Sequence, residues 1–205
     1  MKLLLLILLT TSLYSPLTLA ANTPSGLPNC VVCHGSGLQG NIVIQAPNLS
    51  ILPAWYITAQ LQAYLHHWRG ADVSLTDAKG MRAVALALTD KERQQALKYI
   101  GAMAPQSSQP NIGGDTSHGK QLFTRCSACH GDMAQGNEAL KAPPLAGQND
   151  WYIVSQLKAY QAKHRGYVKE DSNGNIMLSS MDLLDNEQDI LDVALYLNSI
   201  KISKD

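Results

Sequence analysis

All four cysteines of the 205-residue chain fall in two copies of one pattern, Cys30-Val31-Val32-Cys33-His34 and Cys126-Ser127-Ala128-Cys129-His130. Two cysteines three apart stand on one turn of a helix. Each can add to a vinyl group of the same porphyrin, and the histidine after them then projects its imidazole at the iron. Cys-x-x-Cys-His is the attachment signature of a c-type haem. Two covalently bound haem c groups are therefore implied, attached through Cys30, Cys33, Cys126 and Cys129, with His34 and His130 as proximal iron ligands. No thiol is left for a disulfide or a separate metal site. A thioredoxin-like dithiol would need an alternating strand and helix pattern, which the chain lacks. Zinc fits poorly too, because a histidine next to the second cysteine is badly placed to complete a tetrahedron with it.

The second signature stands 96 positions after the first, and the same offset relates many other residues of the two halves. Gln39-Gly40-Asn41 recurs as Gln135-Gly136-Asn137, Pro47-Asn48-Leu49 as Pro143-Pro144-Leu145, and Trp55-Tyr56-Ile57 as Trp151-Tyr152-Ile153. Gln60-Leu61 and Arg69-Gly70 recur as Gln156-Leu157 and Arg165-Gly166. Agreement between internal copies marks what both halves need.

Each half reads as a set of helices, so an all-α fold is expected. A short helix carries each signature; in the second half it begins near Ser117 and packs Leu122 and Phe123. In the first half Pro24, Gly26 and Pro28 crowd the approach to Cys30, so the leading helix should be short or missing. Middle helices are expected over 53–67 and 150–164, with Pro53 in a first turn, Asn149 or Asp150 as a cap, and Gly70 and Gly166 as stops. Thr89-Asp90-Lys91-Glu92 is a capping box that opens one terminal helix, and Asp185 with Gln188 is read as opening the other. Ile190, Val193, Ala194 and Leu197 make one buried stripe. The segments 71–79 and 167–176 read as polar loops. Residues 104–115, rich in Pro, Ser, Gln and Gly without hydrophobic period, read as a linker.

An iron held by one histidine needs a sixth ligand, and in electron-transfer cytochromes that partner is commonly methionine, which raises the potential. Met81 and Met177 each stand 47 residues after their histidine and seven before a leucine, Leu88 or Leu184. Met181 competes with Met177, but its counterpart in the first half is Ala85. Pro47 and Pro143 are placed to offer a backbone carbonyl to the outer nitrogen of the proximal histidine, or are ordinary loop prolines. Arg69 and Arg165 suit haem propionates, or close a solvated helix end. His66, His67, His118 and His164 lack a repeated ligand pattern and read as surface or core residues.

Residues 1–20 have the form of a secretory signal: Lys2 is the single charge, Leu3 to Leu9 are all apolar, and Thr18-Leu19-Ala20 offers a cleavage site. The apolar run is shorter than the ~20 residues of a spanning helix. An exported, oxidising compartment is also where covalent haem attachment belongs. About 185 residues remain after cleavage. Two domains of ~90 residues bury little surface on their own, and the haems would complete their cores.

With haem motifs, distal methionines and terminal helices in this order, each half resembles a class I cytochrome c. The whole mature chain resembles the two-domain dihaem cytochrome c(4) family. The resemblance implies two tandem, mainly helical domains, 21–103 and 116–205, joined by the linker 104–115. It implies a periplasmic electron carrier, often membrane-associated, that serves redox protein partners such as a terminal oxidase or other reductase. No nucleic-acid partner is expected, and no enzymatic activity, since with both axial positions filled a small molecule cannot reach the iron without displacing a ligand. The Trp-Tyr and Arg-Gly segments also resemble cytochrome domains fused to oxidase subunits, so a fixed subunit of a membrane dehydrogenase or oxidase is one rival reading. A dihaem peroxidase is the other.

The chain carries no formal net charge at pH 7. Its first half, 22–103, holds six Lys and Arg against four acids, while residues from Asp115 onward hold nine against twelve. Such an asymmetry can orient a diffusing carrier.

Overall fold

The computed structural model describes residues 26–71 and 76–202. The proposed signal segment, 1–20, lies outside them. The helices of the first half are α1 (Leu27–His34), α2 (Ala54–Leu65), α3 (Thr76–Ala87) and α4 (Asp90–Ala102). Those of the second are α5 (Thr116–Phe123), α6 (Ser127–His130), α7 (Asp150–Gln161), α8 (Ser172–Ser179) and α9 (Glu187–Ser199). Among the described residues the extended pairing amounts to two isolated bridges, Asn41 with Ala46 and Asn137 with Ala142, again 96 positions apart.

Each half has its own apolar core. Leu27, Leu38, Leu49, Ile57, Leu61, Tyr64, Ala85 and Ile100 form the first. Phe123, Ile153, Tyr160, Met181 and the expected stripe Ile190, Val193, Ala194 and Leu197 belong to the second. Leu122 and Phe123 are buried as expected. In the second half α5 leads into α6, whereas in the first a single helix beginning at Leu27 carries the whole motif. Leu27 takes the position of Phe123 and is equally buried.

Local chemistry sets the helix ends. Thr89 accepts from the Glu92 N–H while the Glu92 carboxylate accepts from the Thr89 N–H, the expected box. The other terminal helix departs by one residue from expectation. Asn186, not Asp185, caps α9 by accepting from the Asp189 N–H, and the Asp189 carboxylate reaches back to the Asp185 N–H. Gln188 turns instead to Asp192.

The middle helices stop earlier than the glycines suggested, at Leu65 and Gln161. His67 and Lys163 take left-handed conformations, φ 60° and 57°. The Trp68 and His164 N–H groups close back on the Ala63 and Ala159 carbonyls, so a left-handed cap is made without glycine at that position. Pro53 and Asn149 occupy the caps themselves, neither with a side-chain capping bond. The segments read as loops are helical from Thr76 and from Ser172 onward. α8 starts because Asp171 accepts from the Gly174 N–H, a cap that outweighs Gly174 inside the first turn.

Residues 104–115, read as a linker, hold no helix, but several of their polar groups are hydrogen-bonded. The fully buried Asp150 carboxylate accepts from the Asn111 N–H at 2.6 Å and the Ile112 N–H at 3.1 Å. Gln106 accepts from Asn48 and donates to Ser50, while Ser108 meets Gly147 and Asn198.

Candidate functional site

Both signature histidines are buried, and each meets a carbonyl in the same register. His34 Nδ1 lies 2.7 Å from the Pro47 carbonyl oxygen, and His130 Nδ1 lies 2.8 Å from that of Pro143. A carbonyl can only accept, so Nδ1 carries the proton and Nε2 keeps its lone pair for a metal. Burial pushes both imidazoles below their ordinary pKa, against the carbonyl bond that pulls upward. Both are therefore neutral donors at pH 7.

The loop that presents each carbonyl is built twice. Gly35 and Gly131 end the signature helices at φ 87° and 79°. The Gly40 and Gly136 N–H groups then close on the carbonyls of His34 and His130 at 2.9 and 2.8 Å. Asn41 and Ala46, and likewise Asn137 and Ala142, exchange both backbone bonds and aim the next proline carbonyl at the ring.

No disulfide joins the four cysteines. Cys30 and Met81 pack against the first core, and Cys126 and Met177 against the second. Burial, with the neighbouring Cys33, raises the Cys30 pKa; burial also raises that of Cys126. Met81 and Met177 are half-buried, but Met181 is 5% exposed inside the second core, like the fully buried Ala85 of the first. Each half thus supplies two cysteine sulfurs, one buried imidazole whose Nε2 keeps its lone pair and one half-buried thioether. That donor set fits a covalently held haem c with histidine and methionine on its iron.

Arg69 and Arg165 are buried and lie between the halves. Arg69 donates to its own Gln60 at 2.8 Å and across the boundary to Tyr152 at 2.9 Å and Gln156 at 2.7 Å. Arg165 does the reverse, to Gln156 at 2.9 Å, Tyr56 at 3.2 Å and Gln60 at 2.8 Å. Each guanidinium also lies over a ring, Tyr64 or Tyr160, 4.9 and 4.7 Å from the centroid. Among the described residues no carboxylate pairs with either. Two buried cations with only neutral partners favour an anion beside them, as haem propionates would be. The solvated helix end is excluded by their burial.

The remaining histidines separate. His66 stacks on Trp68, His67 receives Arg82, and His118 Nδ1 lies 2.8 Å from the buried Asp192 carboxylate. Sequence reading missed the amides that join the halves. The Asn48 N–H donates to Gln148 Oε1 at 3.0 Å and Asn149 Oδ1 at 2.8 Å, and Gln148 Nε2 donates back to the Asn48 carbonyl at 3.0 Å. No repeat marks them, because their counterparts are Leu52 and Pro53.

The Cytochrome c family model matches residues 19–104 and 116–201. Among curated proteins, the chain is 32% identical over 140 residues to the Cbb3-type cytochrome c oxidase subunit FixP of Sinorhizobium medicae, covering 63% of this chain and 47% of that one. It thus spans about half of that relative's length. It is 30% identical over 186 residues to cytochrome c-552 of Acidithiobacillus ferridurans, covering 84% and 74%. Among solved structures, cytochrome c4 of Acidithiobacillus ferrooxidans superposes with a TM-score of 0.68 at 30% identity, over 84% of this chain and 99% of that one.

Proposed function

We infer the role of this chain from one premise, that it belongs to the cytochrome c family and carries two covalently bound haem c groups: it is a dihaem electron-transfer protein. In this reading Cys30, Cys33, Cys126 and Cys129 form the thioethers, His34 and His130 are proximal ligands, and Met81 and Met177 are distal ligands. The domains are 21–103 and 116–205, with 104–115 between them. The observation that carries it is the pair of His Nδ1 to Pro carbonyl bonds in one register.

Bound haem supplies a one-electron iron couple at each site. The chain's own residues do the rest. The proline carbonyls hold each imidazole in one tautomer and increase its donor strength. Met81 and Met177 would be the second protein ligands of the two irons, which would favour electron transfer over binding of small molecules. Arg69 and Arg165, buried where the halves meet, would offset the charge of haem propionates.

The chain acts in the periplasm after cleavage near Ala20 and exchanges electrons with redox proteins such as a terminal oxidase or other reductase. Among the described residues no helix is long and apolar enough to cross a membrane. The similarity to an oxidase subunit supports an oxidase as one partner, free or in a fixed complex. Intact mass of the exported protein should report two haems and loss of residues 1–20. The ferric protein should be low-spin at both irons and inert to peroxide. A high-spin haem with rapid peroxide turnover would replace this reading with the peroxidase one.

A further inference from the structure

The carbonyl that holds His34 belongs to the same peptide group as the Asn48 N–H. That single peptide, Pro47 to Asn48, accepts from His34 Nδ1 at one end and donates into Gln148 Oε1 and Asn149 Oδ1 of the other half at its other end. We propose that Gln148 and Asn149 are positioning residues of the second half that tune the first haem iron, through the Pro47–Asn48 peptide and His34, and that no reverse relay exists. The proposal rests on the reading of His34 and His130 as axial ligands.

Both amide orientations are set by second bonds. Gln148 Nε2 donates to the Asn48 carbonyl and Asn149 Nδ2 to the Gln39 carbonyl, so both side-chain oxygens face the Asn48 N–H. Asn48, Gln148 and Asn149 are all buried, at most 5% exposed. In such surroundings hydrogen bonds in series polarise one another. Finally, the corresponding peptide in the second half ends on Pro144, which has no N–H to donate. A Cβ on Gly40 would collide with Asn149 Oδ1, whereas one on Gly136 would meet Pro144 itself. The space used by the incoming amide in one half is filled by the proline in the other.

Donation from the Asn48 N–H makes the Pro47 carbonyl a stronger acceptor, so the His34 ring gains anionic character and favours the ferric iron. Removing the two acceptors should raise the potential of the first haem and leave the second where it was.

The test uses the full-length holoprotein with per-haem potentials followed by NMR. Gln148→Met and Asn149→Ala should each shift the first haem's reduction equilibrium toward ferrous, together by roughly threefold to tenfold, where tenfold is about 59 mV for one electron. An unmoved first potential, or equal shifts at both haems, overturns the relay. Should either variant fold poorly, the unaltered protein still decides. The His34 Nδ1 proton should exchange more slowly and resonate further downfield than that of His130, and equality or the reverse order overturns the proposal. If the His34 ring lacks the hyperfine shift of an iron-bound imidazole, the ligand reading fails instead.

Discussion

Met177 and Met181 are four residues apart, yet they meet different surroundings. Met181 fills core space that Ala85 leaves to its neighbours in the first half, and Met177 keeps the half-buried position of Met81. Met177→Ala should therefore abolish the methionine-to-iron charge-transfer band of one haem and lower its potential. Met181→Ala should leave the band intact and cost about 2–5 kcal/mol of stability, as a core truncation does. The reverse pattern in spectra would exchange the two assignments. A second residue-scale expectation concerns pH. The Asp192 hydrogen bond holds the His118 imidazole above its ordinary pKa of 6.5. Burial pushes the Asp192 carboxyl up, but hydrogen bonds from Asp115, His118 and Gln188 leave it below its ordinary 3.8. The raised histidine stabilises fully below its unfolded pKa and loses this as pH rises through the folded value. The depressed carboxylate stabilises above its unfolded pKa and loses this as pH falls through its folded value. Denaturant titrations should thus find the wild-type advantage over His118→Gln greatest between about pH 4 and 6.5. An advantage that grows toward pH 9 would contradict the pairing.

At the scale of elements, α5 and α9 cross where Gly119 faces the Asp192 carbonyl and Tyr196 Cβ. A side chain there would force two helices apart, and the backbone carbonyl cannot turn away without giving up its helical bond. Gly119→Ala should destabilise the second half by about 2 kcal/mol or more, in the range of overpacked cores. Gly101, with nothing within 4 Å of a built Cβ, makes the control. Gly101→Ala should be neutral or stabilise α4 by up to about 1 kcal/mol. Equal effects of the two changes in thermal melts would show that the crossing has room for a methyl group. Leu122 and Phe123 of α5 belong to the second core with the stripe of α9, and among the described residues Leu27, Cys30 and Val31 of α1 pack against the first.

For the whole molecule, the junction of the halves is polar and nearly symmetric. Two guanidiniums, two glutamines and two tyrosines exchange hydrogen bonds across it. Each arginine bonds both halves, so its charge should act on both irons if propionates lie beside it. Arg69→Met should lower both haem potentials, on the order of tens of millivolts for one charge removed. A shift confined to the first haem would place the propionates away from the junction. Residues 104–115 add to this junction, because Asp150 of one half and Asn48 of the other hold their backbone.

The haem chemistry was legible in the sequence because covalent attachment demands fixed residues at fixed spacing, and the duplication displayed that demand twice. Cys30, Cys33, His34 and their copies needed no tertiary information, nor did the Thr89 capping box, which is closed within one helical turn. The all-α cores came from periodicity. What the sequence could not supply depended on distant partners. Asn149 reads as a helix cap, but its amide is drawn across the junction to Asn48, 101 positions away. Arg69 reads equally as a solvated helix end, and only burial among Tyr64, Tyr152 and Gln156 decides otherwise. Helix ends at Leu65 and Gln161 escaped because histidine and lysine took conformations usually left to glycine. Local chemistry repeats with the duplicated sequence. Contacts between the copies do not, because the two sides of a junction need not be made of the same residues.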